Sequence, residues 1–395
     1  MSVDRLPALR QPTDVLHGEL VDAAATPGRI DLTRWLANHQ PSAVADVGLL
    51  HDLAGDVARF AEASRAAGTI RKYDAGWDAL LSWCARFGFD PGPPTPIEVV
   101  ALYLAQMVRD DLAISTQDGR LAAIRDRHLA AGLLPPTDDP RFRRIRDGVR
   151  RLHGRPVEGK AAVTLPLLAA MLATRPAGPP PGPDAPLEQR REHLAALRDR
   201  CLLSLGFFAG LRREELAGLP VDHLQPVQEG LRLLIARSKA DQTGRGRHVD
   251  LPEAPAELAA ICPVRTTVAW LDAAGRREHL HRPGRRRTGT IPVLSGISVG
   301  ARVRATALSD RYVAETVKQA ARDAGQPPEV VDTLAGHSLR AGLATALEAA
   351  GVPQTVIARI LGHATGTTGR YIRHAFDGAA HHALYTYATR VLGTI

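Results

Sequence analysis

Aromatic side chains are scarce in this 395-residue chain, at 4% Phe, Trp and Tyr. Proteins that grip single strands or RNA loops stack bases on aromatic rings, so that class of partner fits poorly. Cysteine is scarce as well. Cys84, Cys201 and Cys262 are far apart and odd in number, which excludes a disulfide framework and suits a reducing cytoplasm. No apolar run approaches the roughly 18 residues needed to span a bilayer, and no basic–apolar–small cleavage pattern stands at the N-terminus. A soluble cytoplasmic protein with no membrane partner is expected. Carboxylate clusters and Cys/His sets at ligand spacing are also missing, so neither a metal nor another cofactor is expected. Lysine is almost absent: of 50 basic residues only Lys72, Lys160, Lys239 and Lys318 are lysine. Wherever a plain positive charge serves, this chain uses arginine.

What is present points to a polyanion. The formal net charge is +8, with 45% hydrophobic residues, enough for real cores. Backbone contact with a DNA duplex, driven by counterion release, fits this balance; a merely basic protein with no nucleic acid is the plain alternative. Residues 1–45 are irregular and read as an arm. From 46 to 153 the pattern is helical. Ile70, Tyr73, Trp77, Leu80, Leu81, Cys84 and Phe87 recur at three and four residues behind Thr69, a candidate N-cap. Further helices start at Thr95-Pro96 and at Ser115. A fourth, DDPRFRRIRDGVRRLHG, has a polar face dense in arginine (Arg141, Arg143, Arg144, Arg146, Arg150, Arg151, Arg155). Such a face is often only solvated; beside a DNA-acting domain it becomes a candidate phosphate contact, together with Arg71 and Lys72. Residues 154–163 lack periodicity and read as a linker. From 164 to 395 a helix at 187–208 ends at Gly210. LRLLIAR and RHVDLP alternate as an antiparallel hairpin with Lys239 and Arg245 near its tip. Helices follow at 253–261, 264–274, 308–324, 337–350, 353–361 and 378–391, with a basic loop at 275–289.

Four stretches of this second half fit one chemistry: AGLRREEL at 209–216, SKADQTGRGR at 238–247, GHSLRAG at 336–342 and LGHATGTTGRYIR at 361–373. Arg212 and Arg340 can hold a phosphate by forked, charge-assisted hydrogen bonds. His337 can take a proton and a tyrosine oxygen can attack. Lys239 can give a proton, which arginine, with its pKa above about 12, cannot. Each residue alone has a bland reading. His337 and Arg340 share a helix face as a surface pair would, His363 can simply meet a helix dipole, and Tyr371 can be half-buried. His374, His381 and His382 read as surface residues.

As an ordered set, these stretches resemble the catalytic domain of tyrosine recombinases, the phage integrase, Cre and Xer family. The motifs run over residues 200–375, and the helical pattern extends the likeness towards residue 50. The resemblance implies a mainly α fold, with a helical core-type DNA-binding domain and a mostly helical catalytic domain bearing a small antiparallel sheet. It implies that Arg212, Lys239, His337, Arg340 and His363 surround the scissile phosphate, that Tyr371 is the nucleophile, and that Glu215 supports the site. It further implies site-specific cutting and rejoining of duplex DNA through a 3′-phosphotyrosine link, without metal or ATP. The working form would be a homotetramer on two DNA sites, assembled from monomers, with the two domains clamped around the duplex. The family usually has nine residues from the second histidine to the tyrosine; here the step is eight, which reads as a shortened loop at 364–369. A type IB topoisomerase would share the constellation. A non-catalytic regulator would use the helix–turn–helix pattern at 346–363, with Gly351 at the turn, but leaves Arg212, Lys239 and Tyr371 unexplained. Against a topoisomerase stands the tail, which places Ala379, Ala380, Ala383, Leu384, Tyr387 and Val391 on one face suited to docking on a neighbouring subunit.

Overall fold

The computed structural model describes residues 47–63, 67–155, 160–176, 178–182, 184–236, 246–282, 284–362 and 377–393. They belong to two compact units that divide between Val157 and Glu158. The fold is mostly helical with a small antiparallel sheet, as the sequence implies.

The first unit holds α1 (Val47–Ala63), α2 (Ala67–Phe87), α3 (Ile97–Arg109), α4 (Ile114–Ala130) and α5 (Pro140–His153). Its core is Trp77, Leu80 and Cys84 from α2, Val100, Tyr103, Leu104 and Met107 from α3, Leu121 and Ile124 from α4, and Phe142 from α5. The α2 stripe is narrower than its spacing suggests, because Ile70, Leu81 and Phe87 stay exposed. Two helix starts also differ. α2 begins before Thr69 and α4 begins at Ile114, so Thr69 and Ser115 lie inside first turns rather than capping them. α2 and α4 approach closely at Gly76, where a Cβ would stand 2.9 Å from that of Ala123. His128 is fully buried and ties α4 to the chain before α3. Its Nε2 accepts from the Thr95 N–H at 2.8 Å, and its Nδ1 faces the Ile124 carbonyl at 2.7 Å. A single ring proton, on Nδ1, satisfies both partners. α5 starts as its sequence dictates: Asp139 caps by accepting from Arg141 N, and Pro140 fills the first turn.

The second unit begins before Thr164. Ala161 N donates to Thr333 O and Val163 N to Ser338 O, so residues 160–163 lie along this unit. That shortens the stretch read as a linker. The elements are α6 (Leu165–Ala173), α7 (Leu187–Phe208), α8 (Arg213–Ala217), β1 (Leu224–Val227), β2 (Gly230–Ile235), β3 (Arg247–Pro252), α9 (Pro263–Ala273), β4 (Ser295–Ile297), β5 (Val303–Ala307), α10 (Asp310–Asp323), α11 (Pro328–Thr333), α12 (Ser338–Ala349), α13 (Gln354–Leu361) and α14 (Ala379–Leu392). Residues 256–261 form a 3-10 turn rather than the expected helix. α7 is the central element, buried on every side from Cys201 to Phe208. β1, β2 and β3 form an antiparallel sheet in that order. Leu231, Leu233 and Ile235 of β2 pair with Leu251, Val249 and Arg247 of β3. By the period of two, these residues share one face, and the apolar ones are buried.

α14 folds onto its own unit. Ala380, His381, Leu384, Tyr385 and Ala388 are its buried positions. Tyr385 donates to Pro252 O at 2.9 Å, and His381 Nε2 lies 2.8 Å from Phe208 O. This corrects one sequence reading: His381 is 1% exposed and is not a surface residue. Of the apolar stripe read from sequence, Ala380 and Leu384 are buried and Ala383 and Tyr387 pack partly buried against the same core, while Ala379 is exposed.

Candidate active site

Two guanidiniums, those of Arg212 and Arg247, bond one carboxylate in the second unit, and a third, that of Arg340, lies within its electrostatic reach. α7 ends in a turn through Gly210, whose φ is +57°. A Cβ there would fall 2.7 Å from Leu361 and 2.8 Å from Leu343, so glycine is required both by backbone and by space. The turn delivers Arg212 to the N-cap of α8. Glu215, three residues on, reaches back: its Oε2 accepts from Arg212 N at 2.9 Å and its Oε1 from Arg212 Nη1 at 2.7 Å. Arg247, the first residue of β3, donates from Nη2 to Glu215 Oε2 at 3.2 Å and from Nη1 to Ile360 O at 2.6 Å. Arg340, on the first turn of α12, donates from Nη1 to Gly210 O at 2.6 Å and from Nη2 to Leu361 O. α12 sits close enough for this because Gly342 has no side chain; a Cβ there would fall 2.0 Å from Val163 O.

The electrostatics are unbalanced. Arg340 is 3% exposed. Burial, then the charges of Arg212 and Arg247, pull its pKa down to about 10, against the opposing pull of Glu215. Burial also lowers that of Arg247, with Glu215 opposing. Arg340 keeps its charge at neutral pH, but at a cost. Among these four groups, three guanidiniums stand against the single carboxylate of Glu215, which bonds Arg212 and Arg247 and acts on Arg340 only through space, so an excess of two positive charges is left. That is what a site for an anion looks like before the anion arrives.

Of the other residues read from sequence, His337 is exposed at the N-cap of α12, one turn before Arg340. Lys239, Arg245, His363 and Tyr371 lie outside the described residues. Their flanks are described, and both lead to β3. Arg247 follows the 237–245 segment after Gly246, and it packs under Gly362, the residue before His363. The 363–376 segment returns at Asp377, whose N–H donates to Asp250 at 2.8 Å while its carboxylate pairs with Arg359 at 2.8 Å. Lys160, the rival to Lys239, donates instead to Asp332 O at 3.3 Å. The helix–turn–helix pattern exists as α12 and α13, with Gly351 at φ +78°. Arg340 and Arg247 hold the last carbonyls of α13, so this pair is built into the arginine cluster.

In the first unit, the arginines of α5, with Arg155 just beyond its end, divide into two groups. Arg141 pairs with Asp139, Arg146 and Arg150 with Asp118, and Arg155 with Asp111. Arg143, Arg144 and Arg151 are exposed and form no ion pair with a described residue, as are Arg71 and Lys72 on α2. Arg247 was not singled out by sequence reasoning. The signal for it was parity: it stands on the same face of β3 as Val249 and Leu251, a charged residue in an inward position.

Residues 187–377 match the phage integrase family. An integrase/recombinase xerD homolog of Selenomonas ruminantium is 32% identical over 290 residues, which are 72% of this chain and 74% of that protein. The chain therefore belongs to the phage integrase family of tyrosine recombinases. It is a site-specific DNA recombinase, a DNA strand transferase. Among solved structures, the XerH site-specific recombinase bound to palindromic difH substrate aligns at a TM-score of 0.47 with 15% identity, covering 92% of each chain. A lambda integrase dimer bound to a COC′ core site aligns at 0.47 with 14% identity, covering 80% of this chain and 76% of that one. The family assignment rests on the sequence match.

Proposed function

We propose that Arg212 and Arg340, supported by Glu215, bind the scissile phosphate of a duplex target and that Tyr371 attacks it. The observation that carries this reading is the excess positive charge around Glu215. Donors fixed in place before the reaction stabilise charge on the non-bridging oxygens as the phosphorus becomes five-coordinate, commonly the largest catalytic term. His363 completes that set. The Tyr371 oxygen forms a bond to phosphorus, and the bond to the 5′ oxygen breaks. His337 takes the phenol proton, needed because a free tyrosine has a pKa near 10. Lys239 gives a proton to the departing 5′ oxygen. The 3′-phosphotyrosine link conserves the energy of the diester, so attack by a 5′ hydroxyl reverses the step without ATP. If that hydroxyl comes from a second duplex, strands are exchanged.

Burial favours Tyr371 over the later Tyr385. Tyr385 is 2% exposed, its hydroxyl is committed to Pro252 O, and burial pushes its pKa up. Arg143, Arg144 and Arg151 of α5, with Arg71 and Lys72, are the proposed phosphate contacts of the first unit; Arg245 is the same for the second. The proposed organisation is a helical DNA-binding domain before the catalytic domain, acting in the cytoplasm as a homotetramer on two DNA sites. The test uses a nicked duplex that traps the covalent intermediate, followed by peptide mapping. DNA should be attached to Tyr371, and Tyr371→Phe should bind the duplex without forming the adduct. An adduct on Tyr385 or Tyr387 would overturn the assignment.

A further inference from the structure

We propose that Arg247 is a positioning residue for strand cleavage: it fastens the start of β3 to the last turn of α13, the described flanks of the two segments that carry the proposed acid and nucleophile. This rests on the site assignment above and adds a residue whose role none of the four sequence motifs reveals. Three observations carry it.

The first is where Arg247 stands in the chain. It opens β3 two residues after position 245, with only Gly246 between, so it stands at the described flank of the segment that holds Lys239. The second is what it grips. One guanidinium spans Glu215 Oε2 and Ile360 O, while Arg340 takes the adjacent Leu361 O. The last turn of α13 is thus held by two arginines, one of which is proposed to bind the phosphate. His363 follows that turn by two residues and Tyr371 by ten. The third is the fit at Gly362. This residue has φ +62° and closes α13 in the left-handed conformation. A Cβ on it would stand 2.6 Å from Arg247 Nε and 2.7 Å from Cδ. Glycine is needed there for both backbone and clearance.

A lysine at 247 keeps the charge but cannot span two acceptors with a planar fork. Charge and fork geometry can therefore be separated. The experiment measures single-turnover adduct formation on the trapping duplex at saturating protein, and duplex affinity in parallel. Arg247→Lys should bind duplex as tightly as the parent and form the Tyr371 adduct about 10²-fold more slowly, the scale of a misplacement near 1 Å. Gly362→Ala is the second variant, because it leaves every charged group in place and presses a methyl onto Arg247. It should slow the same step, and the double variant should be no slower than the slower single one. Adduct formation by Arg247→Lys within about threefold of the parent, a small part of that misplacement effect, overturns the role of Arg247 and leaves the site assignment standing. So does a drop in affinity that accounts for the drop in rate, or additive effects in the double variant. An adduct on another tyrosine in the parent protein overturns both.

Discussion

Changing Glu215 to Gln isolates the charge imbalance of the site. The substitution keeps shape and volume, and an amide oxygen can still accept one hydrogen bond. What disappears is the single negative charge facing Arg212, Arg247 and Arg340. Breaking a buried pair by removing one partner costs about 3–5 kcal/mol. The Glu215 side chain is 5% exposed but that of Arg212 is 21% exposed, so water screens part of the effect and the lower end, about 3 kcal/mol, is expected. For a unit of this size each kcal/mol moves the midpoint by about 2–4 °C, so the second unit should melt about 6–12 °C lower. Its stability should also become more dependent on anions. Ligand at a hundred times its dissociation constant adds about 2.7 kcal/mol, and sulfate or target duplex should raise the melting point of Glu215→Gln further than that of the parent. Calorimetry of the full chain with and without sulfate reads both effects. A midpoint within about 2 °C of the parent, well under the shift expected for 3 kcal/mol, would refute the reasoning. So would equal protection of both proteins.

Three other outcomes are expected. Lys239→Ala should slow cleavage of a normal phosphodiester, and a bridging 5′-sulfur substrate, whose leaving thiolate needs no proton, should restore much of the rate; equal slowing on both substrates would argue for phosphate positioning instead. Arg143→Ala with Arg144→Ala should flatten the log–log dependence of duplex affinity on salt by about 0.9 for each phosphate no longer neutralised, with little change in sequence preference; an unchanged slope would make α5 a solvated face. His381 has its pKa lowered, first by burial, so the native state binds fewer protons than the unfolded chain below about pH 6.5. Stability of the second unit should therefore fall as pH drops below that value towards the lowered native pKa, and show no such trend above it. His223 and His248 are lowered for the same first reason and act in the same direction. His381→Gln should lessen the acid sensitivity in pH-dependent urea melts; an unchanged profile would refute the assignment to His381.

Long periodic helices were the most legible part of the fold. The end of α7 at Gly210 and the pairing of β2 with β3 follow from apolar spacing and turn chemistry. Elements with little periodic signal were not legible. β1 is four residues with a proline among them, and β5 has one partly buried position and four exposed ones. Neither shows the alternation of a half-buried strand. α11 is six residues and depends on its packing against α10. α14 was legible as a helix and in most of its apolar stripe, since Ala380, Ala383, Leu384 and Tyr387 pack on the core. What was not legible is that His381 and Tyr385 turn inward too, because Phe208 O and Pro252 O give their polar atoms partners. Composition ranks a histidine as polar; only tertiary partners make it a core residue.

The site divides along the same line. Arg212, Glu215, His337 and Arg340 were legible because each sits in a short motif whose spacing is local: a capping carboxylate three residues after an arginine, and a histidine one helical turn before another arginine. Arg247 closes the SKADQTGRGR stretch, but no local spacing marks that arginine out. Its role depends on Glu215, Ile360 and Gly362, which are 32, 113 and 115 positions away in the chain. What the sequence does contain is an inconsistency, an arginine at the inward parity of a strand whose other inward residues are Val249 and Leu251. A charge placed where a hydrophobe belongs is costly unless it is paired, and such local conflicts collect at functional sites. Here the inward arginine meets the same carboxylate that holds Arg212, and its charge helps to lower the pKa of Arg340. The residue that breaks the strand pattern thus helps create the positive excess that a phosphate would relieve.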